Sequence, residues 1–132
     1  LKGRFARFRA YRDEEAAMTV TIYHNPRCSK SRQTLQLLRD RGVEPTIIEY
    51  LQTPPDAATL KDILRKLDLN PRALMRTKEE IYKANGLGDA GLAEDALIEA
   101  IIANPVLMER PVVLANGKAA LGRPPETVLE IL

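Results

Sequence analysis

Short β-branched runs alternate with amphipathic stretches along this chain. Thr19-Val20-Thr21-Ile22-Tyr23 predicts a first strand, and Ser29 to Arg41, with Leu35, Leu37 and Leu38 near one side and Gly42 after it, predicts a helix. Thr46 to Tyr50 is a second apolar run, which completes a β-α-β opening. Asp56 follows Pro54-Pro55 as an expected N-cap for a helix whose apolar stripe is Leu60, Ile63, Leu64 and Leu67. Residues 70–103 read as helical throughout, broken near Asn85-Gly86-Leu87-Gly88, with Leu97, Ile98, Ile101 and Ile102 as a buried stripe. Arg110-Pro111-Val112-Val113-Leu114 predicts a strand that opens on proline. Asn116-Gly117 is a strong hairpin dipeptide, and Lys118 to Leu121 forms the return. Pro124-Pro125-Glu126 starts a last helix, which the end of the chain cuts short. The order is β-α-β, a helical insertion, then β-β-α. The expected fold class is therefore α/β, a thioredoxin-like mixed β-sheet flanked by helices with a helical insertion.

Composition narrows the function classes. The chain has 132 residues, enough for one domain with a real core. No window approaches the length of a membrane span, so membrane association is not expected. The net charge of +2 sits entirely in residues 1–17, which hold five basic and three acidic side chains; the remainder has fifteen of each. A neutral body offers no general basic face, so nucleic acid is not an expected partner. Residues 1–17 read as an N-terminal extension or a segment foreign to the natural chain, and 18–132 as the functional domain beginning at Met18. Leu1, Phe5, Phe8 and Tyr11 fall at helical spacing, whereas Asp13, Glu14 and Glu15 argue against a transit peptide. The segment is assigned no function. The single cysteine excludes an internal disulfide and a sulfur-rich metal site, and it fits a reducing, cytoplasmic setting. No metal and no bound cofactor are expected.

That cysteine, Cys28, falls between a strand end and a helix start. There, unpaired N–H groups and the helix dipole favour a thiolate, and equally an oxyanion. The loop His24-Asn25-Pro26-Arg27 precedes it, and Ser29-Lys30-Ser31-Arg32 follows. A lone cysteine is usually a small core residue. Here the polar flanks favour a reactive thiol, with Ser29 and Ser31 as hydroxyl donors. His24 is either a cap on the strand end or a group that tunes the thiolate. Arg110 and Arg123 each precede a proline beside the predicted last strands. In a thioredoxin-like sheet the strand-start proline, here Pro111, faces the cysteine loop and is predicted cis. Arginine's planar fork suits a tetrahedral oxyanion, although each arginine taken singly reads as a surface charge.

The stretch His24-Asn25-Pro26-Arg27-Cys28-Ser29-Lys30-Ser31-Arg32 closely resembles the active-site loop of glutaredoxin-coupled arsenate reductases. The likeness continues through Glu44–Leu51, Arg72–Arg76, Glu109–Val113 and Leu121–Pro124, in order and at compatible spacing. The best-studied members have small residues around the cysteine, where this chain has Arg27, Ser29 and Lys30; that version resembles a sister branch. The resemblance implies Cys28 as nucleophile, His24 as its tuning residue, and Arg76, Arg110 and Arg123 as the oxyanion-binding arginines. It also implies arsenate or a similar oxyanion as substrate, with glutathione and glutaredoxin supplying electrons. Two other readings share these residues: a thiol oxidoreductase acting on glutathione mixed disulfides or another oxyanion, and an Spx-like regulator that binds RNA polymerase. The regulators usually carry Cys-x-x-Cys, whereas Ser31 occupies that second position here.

Overall fold

The computed structural model describes residues 19–132; both the N-terminal segment and Met18 lie outside the described residues. Four strands form one mixed sheet in the order β2-β1-β3-β4, where β1 is Val20–His24, β2 is Thr46–Glu49, β3 is Val112–Ala115 and β4 is Lys118–Leu121. Strands β1 and β2 run parallel, with Ile22 opposite Ile47, while β3 runs antiparallel to both β1 and β4. The parallel pair requires a crossover, supplied by α1 (Ser29–Asp40). The antiparallel pair closes through Asn116-Gly117, both at positive φ (55° and 73°), as a tight hairpin turn demands.

Alternation along the central strands divides the core in two. Val20 and Ile22 of β1, with Val113 and Ala115 of β3, face Leu35 and Leu38 of α1 and Val128 and Ile131 near the C-terminus. Tyr23 and Val112 point the other way, into a cluster with Leu60, Ile63 and Leu64 of α2 (Ala57–Leu67) and with Leu97, Ile98 and Ile101 of α4 (Glu94–Ala103). Asp56 caps α2 by accepting the Thr59 N–H at 2.8 Å.

The insertion is less helical than its apolar spacing suggests. Between α2 and α4 lie only a 3₁₀ turn, Pro71–Leu74, and the five-residue α3, Glu80–Ala84. Met75 instead pairs in an antiparallel bridge with Met108. Arg76 N–H donates to Leu107 C=O at 2.6 Å, and Glu109 N–H to Leu74 C=O at 2.7 Å. Tertiary pairing thus overrides the local preference for helix at that point. The last helix, Pro125–Ile131, is 3₁₀ throughout. The Arg110–Pro111 and Arg123–Pro124 peptide bonds are both cis.

Candidate active site

Cys28 is the N-cap residue of α1, with extended backbone angles and no side-chain cap. The loop before it is held by its own polar groups. Cys28 N–H donates to Asn25 C=O at 3.0 Å, and Arg27 N–H to Asn25 Oδ1 at 3.0 Å. Ser31 is fully buried; its hydroxyl accepts the Asn25 N–H at 3.0 Å and lies 2.6 Å from His24 Nδ1. Ser31 therefore contributes to the site through the frame of the loop and through its backbone N–H, which faces the sulfur together with that of Lys30. Ser29 is exposed at the helix start. The hydrogen bond of His24 goes to Ser31, so any tuning of Cys28 by this ring runs through the loop. Burial above all, with Arg39 and Arg32 assisting, lowers the His24 pKa below its ordinary value, against an opposing pull from Glu49.

Burial alone would push the Cys28 thiol up. It is outweighed by a hydrogen bond to the Arg110 side chain, the Ser31 N–H, the Arg110 charge and the Lys30 N–H, so the thiol lies below its ordinary value. Arg110 responds in kind: desolvation disfavours its charge, but contact with Cys28 more than compensates and its pKa rises.

The other basic groups arrive from separate segments. Arg123 follows β4 and places Nη2 3.9 Å from Cys28 Sγ, while its Nε–H donates to Arg110 C=O at 2.8 Å. It reaches there because Gly122 packs where no side chain fits: a Cβ would fall 2.5 Å from Thr34 Oγ1 and 2.7 Å from Pro111 Cγ. Arg76 is aligned beside Glu109 by the Met75–Met108 bridge, and its Nε–H donates to Glu79 Oε1 at 3.0 Å.

Two members of this assembly are not marked as site residues by their sequence neighbourhoods, although both lie in stretches that carry the resemblance. Glu109 lies against the arginines, with Oε2 3.2 Å from Arg123 Nε and 4.0 Å from Arg76 Nη1. Tyr50, fully buried after β2, feels the charges of Arg110, Cys28 and Arg76; desolvation dominates and raises its pKa, keeping the phenol protonated. The Asn25 carboxamide is near enough to oppose that rise, but forms no aligned bond with the phenol. Among the described residues, three buried side-chain polar atoms lack a hydrogen-bond partner: Tyr50 Oη, Arg110 Nε and Glu109 Oε2. Tyr50 and Arg110 interact with Cys28 itself, and Glu109 lies against Arg123, whose Nη2 is 3.9 Å from the sulfur. Orphaned buried polar atoms cost about 1–3 kcal/mol each, so their concentration at one spot points to a polar ligand. A cavity of about 260 Å³ adjoins the other side of the loop, between Pro26, Arg27, Glu49 and Gln52, and is lined by none of the three arginines.

Among the described residues no group of three His, Cys, Asp or Glu could hold a metal, and no helix is long and apolar enough to cross a membrane. The model of the ArsC family matches residues 23–131. "Uncharacterized protein YfgD" of Escherichia coli K12 is 62% identical over 114 residues, 86% of this chain and 96% of that protein. "Arsenate reductase" of Neisseria meningitidis serogroup A is 53% identical over 114 residues, 86% of this chain and 97% of its own length. Among solved structures, "Arsenate reductase from Vibrio cholerae" superposes with a TM-score of 0.85 at 56% identity, covering 88% of this chain and 99% of that one.

Proposed function

This chain belongs to the ArsC family, and from that premise we propose that it reduces arsenate to arsenite through Cys28. The observation that carries the reading is the cluster of unpartnered donors and arginines around a thiol whose pKa is lowered. The Cys28 thiolate attacks arsenic and forms an S–As bond, while one oxygen departs as hydroxide and takes a proton from solvent. Arsenic is still pentavalent in this adduct. Arg76, Arg110 and Arg123, with the Lys30 and Ser31 N–H groups, offset the oxyanion charge that would otherwise repel the sulfur.

A glutathione thiolate then attacks Cys28 sulfur. The S–As pair leaves with arsenic, which becomes trivalent arsenite, and the two sulfurs are oxidised to a mixed disulfide. Glutaredoxin attacks the glutathione sulfur and frees the Cys28 thiolate. A solitary cysteine needs such an external thiol, because it has no partner of its own with which to resolve the adduct. No bound metal or organic cofactor enters these steps. His24 and Ser31 hold the loop, and Ser29 lies at its exposed edge.

The test is arsenate-dependent NADPH oxidation with glutathione, glutaredoxin and glutathione reductase supplied. Wild-type protein is expected to turn over, and Cys28→Ser to lose activity completely with an unchanged circular dichroism spectrum. Substantial activity in Cys28→Ser would sink the mechanism. Turnover with thioredoxin alone would remove the role given to glutathione.

A further inference from the structure

The orphaned atoms at Cys28 are of two kinds. Tyr50 Oη and Arg110 Nε can donate a hydrogen bond, as an oxyanion requires. Glu109 Oε2 can only accept. Its nearest cation does not satisfy it: Arg123 Nε has one hydrogen, directed at Arg110 C=O at 2.8 Å, so at 3.2 Å it offers Glu109 charge without an aligned bond. Arg76 Nη1, at 4.0 Å, is beyond hydrogen-bond reach. An acceptor inside a ring of donors has no use for a fully ionised anion, because two oxygens with only lone pairs would face each other. It suits an anion that still carries an O–H.

We propose that Glu109 makes this cleft selective for protonated oxyanions, accepting a hydrogen bond from the O–H of hydrogen arsenate or hydrogen phosphate and rejecting sulfate and selenate, which have none at neutral pH. Arg76, Arg110 and Arg123 supply attraction to any tetrahedral anion, and Glu109 sorts among those anions by the proton. Arg123 has 38% of its side chain exposed and so has room to swing toward the anion, a movement this role of Glu109 requires in order to uncover Oε2. A buried acceptor left without its donor is the usual source of strong discrimination between analogues that differ by one O–H.

The inference rests on the reading of the cleft as an oxyanion site, and its test separates the two. Cys28 in the full chain is alkylated with iodoacetamide at pH 7.5 in the presence of sodium phosphate or sodium sulfate at matched ionic strength. These anions share shape and, to a first approximation, charge, and differ in the proton. In wild type, phosphate is expected to protect at roughly tenfold lower concentration than sulfate. In Glu109→Gln, whose amide can donate as well as accept, the ratio falls toward one through improved protection by sulfate. Glu109→Asp keeps the preference for phosphate, which a purely structural role would not predict. Equal protection in wild type, or an unchanged ratio in a folded Glu109→Gln, overturns the role of Glu109. If neither anion protects wild type, the oxyanion reading fails with it.

Discussion

The two halves of the candidate site are built in opposite ways. The thiol half, His24 to Arg32, is one continuous stretch: a strand end, a loop tied by Asn25 and Ser31, and the start of α1. Its N–H groups face the sulfur wherever that stretch folds. The arginine half is assembled from three segments that meet only in the finished fold. The Met75–Met108 bridge brings Arg76 to Glu109, the strand start supplies Arg110, and the close packing of Gly122 delivers Arg123. Damage to Arg76 or Arg123 can therefore leave the thiolate largely in place, whereas damage to Arg110 reaches both halves.

Arg110→Ala tests that shared position and carries the largest expected effect. It removes a hydrogen bond and a charge from Cys28, so the pH midpoint of alkylation rises toward the value of about 8.5 for free cysteine. The thiol remains alkylatable above that midpoint, because the Lys30 and Ser31 N–H groups stay in place. Loss of one guanidinium from the clamp raises the KM for arsenate about tenfold or more. Iodoacetamide rates across pH and arsenate kinetics measure both; an unmoved midpoint means that the local half alone sets the thiolate.

The same contrast explains what could be read from the sequence. The Cys28 loop, the Asp56 cap and the Asn116-Gly117 turn are signalled by adjacent residues, and each follows from local backbone chemistry. Residues 70–103 misled because apolar spacing does not register that Met75 would pair with Met108 instead of continuing a helix. Arg110 and Arg123 stand out by the prolines that follow them beside the last strands, although each taken singly reads as a surface charge, and Arg76 is nameable only through resemblance to a family. Glu109 and Tyr50 lie inside stretches that resemble the family, but nothing in the sequence assigns either a place in the site. One is an acidic residue beside a strand and the other an aromatic at the end of one, and their roles depend on which orphaned atoms they share a site with.

Gly122→Ala separates the halves more cleanly and with a smaller effect. The added methyl collides with Thr34 Oγ1 and Pro111 Cγ, so the exit of β4 must shift and carry Arg123 with it. Overpacking of this kind costs about 1–3 kcal/mol, readable as a lower thermal midpoint. The KM for arsenate is expected to rise several-fold and alkylation of Cys28 at neutral pH to change less. Thr34 Oγ1, which the methyl strikes, bonds Lys30 C=O at 2.8 Å, but the Asn25 and Ser31 bonds that tie the loop are not among the groups struck. Equal damage to both readouts means that the Cys28 loop depends on the packing of Gly122 and is not self-contained.

The smallest effect is expected inside the thiol half, at His24. Its folded-state pKa is below the usual value of about 6.5, mainly because the ring is buried. A depressed pKa means that the folded state favours the neutral ring. The resulting stabilisation is complete above the unfolded value and is lost as pH falls through the folded one. Between pH 7 and about 5.5, above the range of ordinary carboxylates, the wild-type thermal midpoint should therefore decline. His24→Gln retains an amide that can bond Ser31 Oγ but cannot titrate, so its midpoint should be flatter over the same interval. If both proteins decline in parallel, the pH dependence originates elsewhere, and His24 is only a hydrogen-bonding strut between β1 and the start of α1.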